Sequence, residues 1–195
     1  MKRIALLRDA GADPGLSAPH LVCRADPTDA ILASLNGSAA RPQAHAGVVF
    51  AWPHDGAEAD ATDAALMKVA SALYRVDEVR HWDELAPNAE GVVVLTYLVK
   101  RRPDLSFADF RAHYLNNHAP LARVHHPGIA RYVQNYLPPG EGLVDAISEL
   151  WFRNEDDART RFYRDDESRR VIAEDVRRFV DLRGGGAFAA RPRHA

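Results

Sequence analysis

The stretch from Val92 to Val99 is a nearly unbroken apolar run of Val, Leu, Thr and Tyr. A run of this length and β-branched content reads as a strand covered on both faces, so the chain must supply a layer on either side of it. Lys100-Arg101-Arg102 and Pro103 end the run, and the three basic residues read as a solvated turn. Ser106 and Asp109 then stand at capping-box spacing. That spacing predicts a helix from Phe107, because hydroxyl and carboxylate satisfy helix-start amides. Pro120 disfavours helical geometry at Ala119, so the regular helix is expected to end or kink near His118. Strands follow over Ile129–Leu137 and Ala146–Arg153, with Pro138 to Gly142 as the turn between them. A long helical pattern covers Asn154–Asp181, interrupted around Asp165–Ser168; Gly184–Gly186 stops it and Ala187–Ala190 supplies a last strand. The order β-α-β-β-α-β is the ferredoxin-like arrangement.

The first half can be read in the same order, in a degenerate form. Ile4–Leu7 is a short strand, followed by a Gly/Pro/Asp-rich break and a second short strand over His20–Arg24. A short helix starts near Asp26 or Thr28 and ends at Gly37, and Gly47–Trp52 is a clearer strand bounded by Pro42 and Pro53. Leu66, Val69, Ala70 and Leu73 recur at helical spacing, which predicts a core-facing helix over Ala61–Arg75. A closing strand would fall at Val76–Trp82, although Val76, Val79 and Trp82 are spaced by three and do not alternate. The expected fold class is therefore α+β, with two tandem ferredoxin-like units, a degenerate half over residues 1–86 and a better-defined unit over 91–190.

Charge and cysteine content narrow the function classes. With 25 Lys+Arg against 27 Asp+Glu in 195 residues, there is no overall attraction to nucleic acid or anionic lipid. No stretch approaches the ~20 consecutive apolar residues of a membrane span. The four-residue apolar run before Arg8 is too short for a signal peptide, so a mature cytoplasmic protein is expected. The lone Cys23 supports neither a disulfide within the chain nor a Cys-rich metal site, and reads as a small buried hydrophobe.

The segment KRRPDLSFADFRAHYLNNHAPLA, Lys100 to Ala122, followed in order by Arg131–Tyr136 (RYVQNY), Ser148–Phe152 (SELWF) and the FVDL and AF stretches near Phe179–Phe188, resembles the EthD family of dimeric α/β barrel proteins. The resemblance covers about half the chain. It implies a curved four-stranded sheet that pairs with a second such sheet around a central cavity. The second sheet would come from the first half of this chain or from another copy in a homodimer. Proteins sharing this barrel are similar to polyketide cyclases and dehydratases, muconolactone isomerases, antibiotic-type monooxygenases and haem proteins, and the founding EthD member is associated with ether degradation. Fold alone does not name the reaction.

Individual residues give the candidates. Phe107, Phe110, Tyr114 and His118 share one helix face at spacings of three and four. Phe110 and Tyr114 read either as packing or, for Tyr114, as substrate contact. His118 stands at the end of the stripe, where the last helical carbonyls favour an imidazolium, and is the candidate for proton transfer. His113 lies about 140° away around an ideal helix, so the two rings should not converge; His125 and His126 belong to a loop where exposed polar residues are common. No metal or cofactor is expected from this set. Tyr132, Gln134 and Tyr136 alternate onto one strand face, and would offer an aromatic wall if that face lines the barrel interior. Glu149 and Trp151 share a face with Ile147 and are further candidates for substrate contact; Glu149 is either paired, with Arg131 as one choice, or a carboxylate of raised pKa. Tyr97 is a further cavity candidate. The expected function is cofactor-independent acid/base chemistry, of the isomerase, cyclase or dehydratase type, on an aromatic, lactone or polyketide-like small molecule. A non-catalytic binding or assembly module is the alternative, and haem or oxygen-dependent chemistry the third.

Overall fold

A computed structural model of the chain describes residues 1–26, 29–36, 45–87 and 89–193. In chain order the elements are β1 Lys2–Leu7, β2 His20–Arg24, α1 Ile31–Asn36, β3 Gly47–Ala51, α2 Gly56–Val69, β4 Ala70–Asp83, β5 Val93–Val99, α3 Phe107–His113, a π-helical turn Tyr114–His118, α4 Ala119–His125, β6 Ile129–Tyr136, β7 Ala146–Phe152, α5 Glu155–Thr160, α6 Asp166–Phe179 and β8 Gly186–Pro192. The expected helix signals at Thr28 and Gly37, and Pro42, lie outside the described residues. Among the described residues no helix is long and apolar enough to cross a membrane.

The eight strands close into one barrel in the order β1-β3-β2-β8-β5-β7-β6-β4. Cut at its two seams, this ring gives β4-β1-β3-β2 and β8-β5-β7-β6. Both sheets thus carry the 4-1-3-2 order of a ferredoxin-like unit, and the barrel closes within one chain. One seam is long. The 14-residue β4 pairs with β1 through its first half and with β6 from Asp77 to Asp83. The other seam is short, with β2 meeting β8 at Cys23↔Pro192 and Arg24↔Arg191. In the first half the connection from β1 to β2 has no helix, and α1 sits instead between β2 and β3.

Strand β4 corrects the expectation of a helix to Arg75. Helix α2 is capped by Asp55, whose side chain accepts from the Glu58 N–H, and stops at Val69. From Ala70 onward the backbone pairs with β1, Leu7↔Ala70 through Lys2↔Val76. A short apolar run does not distinguish helix from strand by spacing, and the ladder offered by β1 decides it.

One buried cluster contains Ile4 and Leu6, Val48 and Phe50, Cys23, Val76, Val94, Ile147 and Trp151, and Phe188 and Ala190. These residues come from seven different strands and can meet only in the barrel lumen. The lumen is therefore a filled core. Cys23 is fully buried within it, and burial pushes its thiol pKa up. Separate clusters lie outside the barrel, under α2 on the first-half sheet and under α3, α4 and α6 on the second.

Candidate functional site

Helix α3 begins as its sequence predicts: Ser106 Oγ accepts from the Asp109 N–H at 3.0 Å and donates to the Asp109 carboxylate at 2.6 Å. The helix does not end at His118. Ala119 N–H bonds back to the Tyr114 carbonyl, five residues earlier, and the chain continues as α4 with Pro120 in its first turn. Proline lacks an N–H and clashes with the preceding turn. One widened turn followed by a fresh helix start accommodates it, since a missing N–H is no loss at such a start.

That turn overturns the expected separation of His113 and His118. In a π turn, residues five apart are hydrogen-bonded neighbours, so both imidazoles reach the same carboxylate. His118 Nδ1 lies 2.9 Å from Asp175 Oδ2 and His113 Nε2 lies 2.8 Å from Asp175 Oδ1. Both ring nitrogens must donate, because an ionised carboxylate only accepts. Burial raises the Asp175 pKa, but the hydrogen bonds from the two histidines outweigh it and hold the carboxyl below its ordinary value. His118 Nε2 has no hydrogen-bond partner among the described residues.

His118 lines a cavity of about 440 Å³ between the outer face of β5, β6 and β7 and the helices α4 and α6. Tyr97, Tyr114, Tyr132 and Ser148 bring hydroxyls to its wall; Leu150, Ile172 and Phe179 supply apolar surface. Burial raises the pKa of all three tyrosines, so they stay protonated and can donate to a ligand oxygen. Tyr114 also shares a short hydrogen bond with Ser148. Behind the wall, Gln134 Nε2 donates to the Tyr132 hydroxyl at 2.8 Å and to the Tyr114 carbonyl at 3.2 Å, and Gln134 Oε1 accepts from Tyr136. Gln134 and Tyr136 therefore brace the site without lining it.

The cavity is not the barrel lumen. Tyr132, Gln134 and Tyr136 do share a face, but it looks toward the helices. Asn135 on the opposite face reaches the lumen instead, donating to Glu149 at 2.7 Å. Alternation sorts residues into two faces without saying which face is inside, and here the helix layer claims the aromatic one. Glu149 and Trp151 accordingly lie in the lumen, away from the cavity. Glu149 pairs with Lys2 at 2.5 Å, not with Arg131, and accepts from Trp151 Nε1 at 3.0 Å. Arg131 instead faces Asp83 at 2.8 Å and covers the Trp151 ring.

Three residues in or behind the site are not singled out by sequence. Asp175 falls on the buried face of α6 with Ser168, Ile172 and Phe179, and a carboxylate in that stripe was a legible signal. His126 was read as a loop residue, yet it is 4% exposed and lines the cavity. Its Nδ1 donates to the Phe162 carbonyl, which leaves Nε2 as an acceptor. His81 comes from the first half. It is the bulged residue of β4, between Arg80↔Val133 and Trp82↔Tyr132. A bulge re-aims a side chain, and this imidazole stacks on Tyr132 at 5.1 Å with a buried Nε2 that lacks a partner among the described residues.

His126 carries a pH prediction. Burial pushes its pKa from 6.5 down to about 4. The unfolded chain then takes up a proton below pH 6.5 that the folded chain refuses, so the stabilisation is complete above pH 6.5. It falls by about 1.4 kcal/mol per pH unit between the two values. Urea unfolding from pH 7 to 4.5 should show this slope, and His126→Phe should flatten it. An equal slope in the variant would exclude His126 as its source.

Beyond the cavity, the glycine run does more than stop a helix. A Cβ on Gly185 would lie 2.3 Å from the Leu98 carbonyl oxygen, so only glycine allows β8 to enter this close to β5 at the cavity rim. The EthD domain family matches residues 102–183, which include the π turn, Asp175 and most of the cavity wall. Beyond the matched residues, the whole barrel has solved counterparts. An anthrone oxidase-like protein aligns with 99% of this chain and 91% of its own at a TM-score of 0.63 and 12% identity. A candidate monooxygenase of Lactobacillus acidophilus aligns at 0.54 and 11% identity, covering 98% and 92%. One from Fusobacterium nucleatum aligns at 0.51 and 8%, covering 98% and 89%. At these identities the similarity is one of fold. No protein of curated function matches this chain in sequence.

Proposed function

We propose that this EthD-domain protein moves a proton on an oxygen-bearing aromatic, lactone or polyketide-like molecule held in the cavity under α4 and α6. The observation that carries this reading is the Asp175–His118 pair at the wall of a cavity that His118 shares with apolar side chains and protonated phenols. A carboxylate on Nδ1 fixes the ring and its tautomer and leaves Nε2 to take a proton from a carbon or hydroxyl beside a substrate carbonyl. Tyr97, Tyr114 or Tyr132 would donate to the oxygen on which negative charge develops. Returning the proton at another carbon completes an isomerisation; returning it to a leaving hydroxyl completes a dehydration. Neither step requires a cofactor. Residues 91–190 would carry the chemistry, while 1–86 would close the barrel and contribute His81. A homodimer would add a shared outer surface, since one chain already completes the barrel.

The test begins with thermal shifts against aromatic acids, lactones and polyketide fragments, because a ligand of the native state raises the melting temperature. Hits are then incubated in deuterium oxide with catalytic amounts of protein. The expected result is enzyme-dependent deuterium uptake at the carbon next to the carbonyl. Binding without exchange or product would support the non-catalytic alternative. Oxygen consumption with the ligand, or a Soret band on the purified protein, would favour the third reading.

A further inference from the structure

The mouth of the cavity is cationic although the chain as a whole has a formal charge of −2. Arg177, Val180, Asp181 and Leu182 line both the cavity and an adjoining groove, which continues to Arg102 and Arg183. Arg102 is satisfied by Asp104, with contacts of 2.8 and 2.6 Å. The neighbouring Lys100 and Arg101 are turned to Asp145. The guanidinium groups of Arg177 and Arg183 have no acidic partner among the described residues. Among the described residues the only acid lining the groove, Asp181, accepts the backbone N–H of Arg183 at 3.0 Å. Leu182 stands between the two spaces at 66% exposed, an apolar side chain placed to cover a ligand that passes from one to the other.

We infer that this rim binds an anionic substituent, a carboxylate or a phosphate, of a molecule whose apolar body occupies the cavity, with Arg177 and Arg183 as its ligands. The inference rests on the reading of the cavity as a ligand site, and it narrows the substrate class to acids. The physical reason is that an unpaired guanidinium offers forked N–H donors to carboxylate or phosphate oxygens, and charge-assisted pairs of this kind are stronger than neutral hydrogen bonds. The arrangement also orients the ligand: an anchored acid group at the rim leaves the far end of a planar body toward His118 and the tyrosines.

Calorimetric titration of the full chain at pH 7 with 1-naphthoate, 1-naphthyl phosphate and 1-naphthamide tests the inference. These probes share a ring system and differ in charge. The expected result is that at least one anion binds about tenfold more tightly than the amide, with the advantage eroded by added salt; comparison of the two anions tells carboxylate from phosphate. In the Arg177→Ala/Arg183→Ala variant, whose exposed positions leave the core untouched, the anions should fall to within about twofold of the amide. Equal binding of all three probes by the wild type, or an anion preference that survives in the variant, overturns the arginine rim and leaves the proposed chemistry standing. No binding by any of the three overturns both readings.

Discussion

His118→Ala is expected to lose about 10²- to 10⁴-fold of the deuterium exchange proposed for the wild type, the range that a positioned acid or base supplies. Its fold should survive, for two reasons. The deleted ring borders an existing cavity, and Asp175 keeps its 2.8 Å contact with His113. Circular dichroism and a cooperative melt check the fold, and His118→Gln serves as a second variant with a polar side chain in the same place. Full exchange activity in both variants would remove His118 from the chemistry. Asp175→Asn separates positioning from catalysis. An amide cannot accept from both imidazoles through two oxygens, so one ring must change tautomer or lose its partner, and exchange should fall although His118 is intact. The variant should also change the acid limb of stability. Since the folded Asp175 pKa is lowered, its stabilisation is complete above an ordinary carboxyl pKa of about 4, and is lost as pH falls through the folded value. The asparagine variant should be less stable at neutral pH and lack that contribution to the acid limb.

Lys2→Met should cost about 3–5 kcal/mol, the penalty for breaking a buried ion pair from one side. Lys2 reaches across the lumen from β1 in the first half to Glu149 on β7 at 2.5 Å and to Glu78 on β4 at 2.6 Å, over the faces of Phe50 and Trp52. Without the ammonium, Glu149, at 2% exposure, keeps only the N–H donors of Asn135 and Trp151 among the described residues. Glu78 is less demanding, because it is part-exposed and also meets Arg80 at 3.3 Å. Burial raises its pKa but Lys2 more than compensates, so removal of Lys2 should release part of that shift. Urea denaturation measures the loss. Adding Glu149→Leu to Lys2→Met should restore much of it, since a well-packed apolar side chain asks for no counter-charge. A single-variant loss below about 1 kcal/mol would mean that the pair does little to hold the two sheets together.

The better-patterned half of the chain was legible at the level of elements. The apolar run, the capping box and the two following strands appear close to their expected bounds as β5, α3, β6 and β7, because each signal acts within a few residues. Ala70–Arg75 was misread for the opposite reason: its conformation is set by pairing with β1, more than sixty residues earlier in the chain. The turn around Pro120 shows a finer limit. Proline announced an irregularity but not its form. A kink, a stop and a π turn all remove the same hydrogen bond, and only packing against α6 shows that the π turn brings two histidines onto one carboxylate.

The candidate site divides the same way. His118 and the tyrosine set could be named from residue type and helical or strand spacing. Asp175 lies 57 residues from His118, His81 arrives through a bulge, and His126 is buried by Phe162 and Tyr163. The buried stripe of α6 marks Asp175 as unusual, but no local pattern names the partner of any of the three. The amino-acid order by itself determined the class of elements, their succession and the EthD resemblance, all of which depend on local pattern and periodicity. Tertiary structure alone decided that the barrel closes within one chain, that the lumen is filled and stapled by Lys2, and that the cavity lies outside it. Those outcomes depend on which strand edges meet and which sheet face the helices cover, and alternation along a strand leaves both choices open.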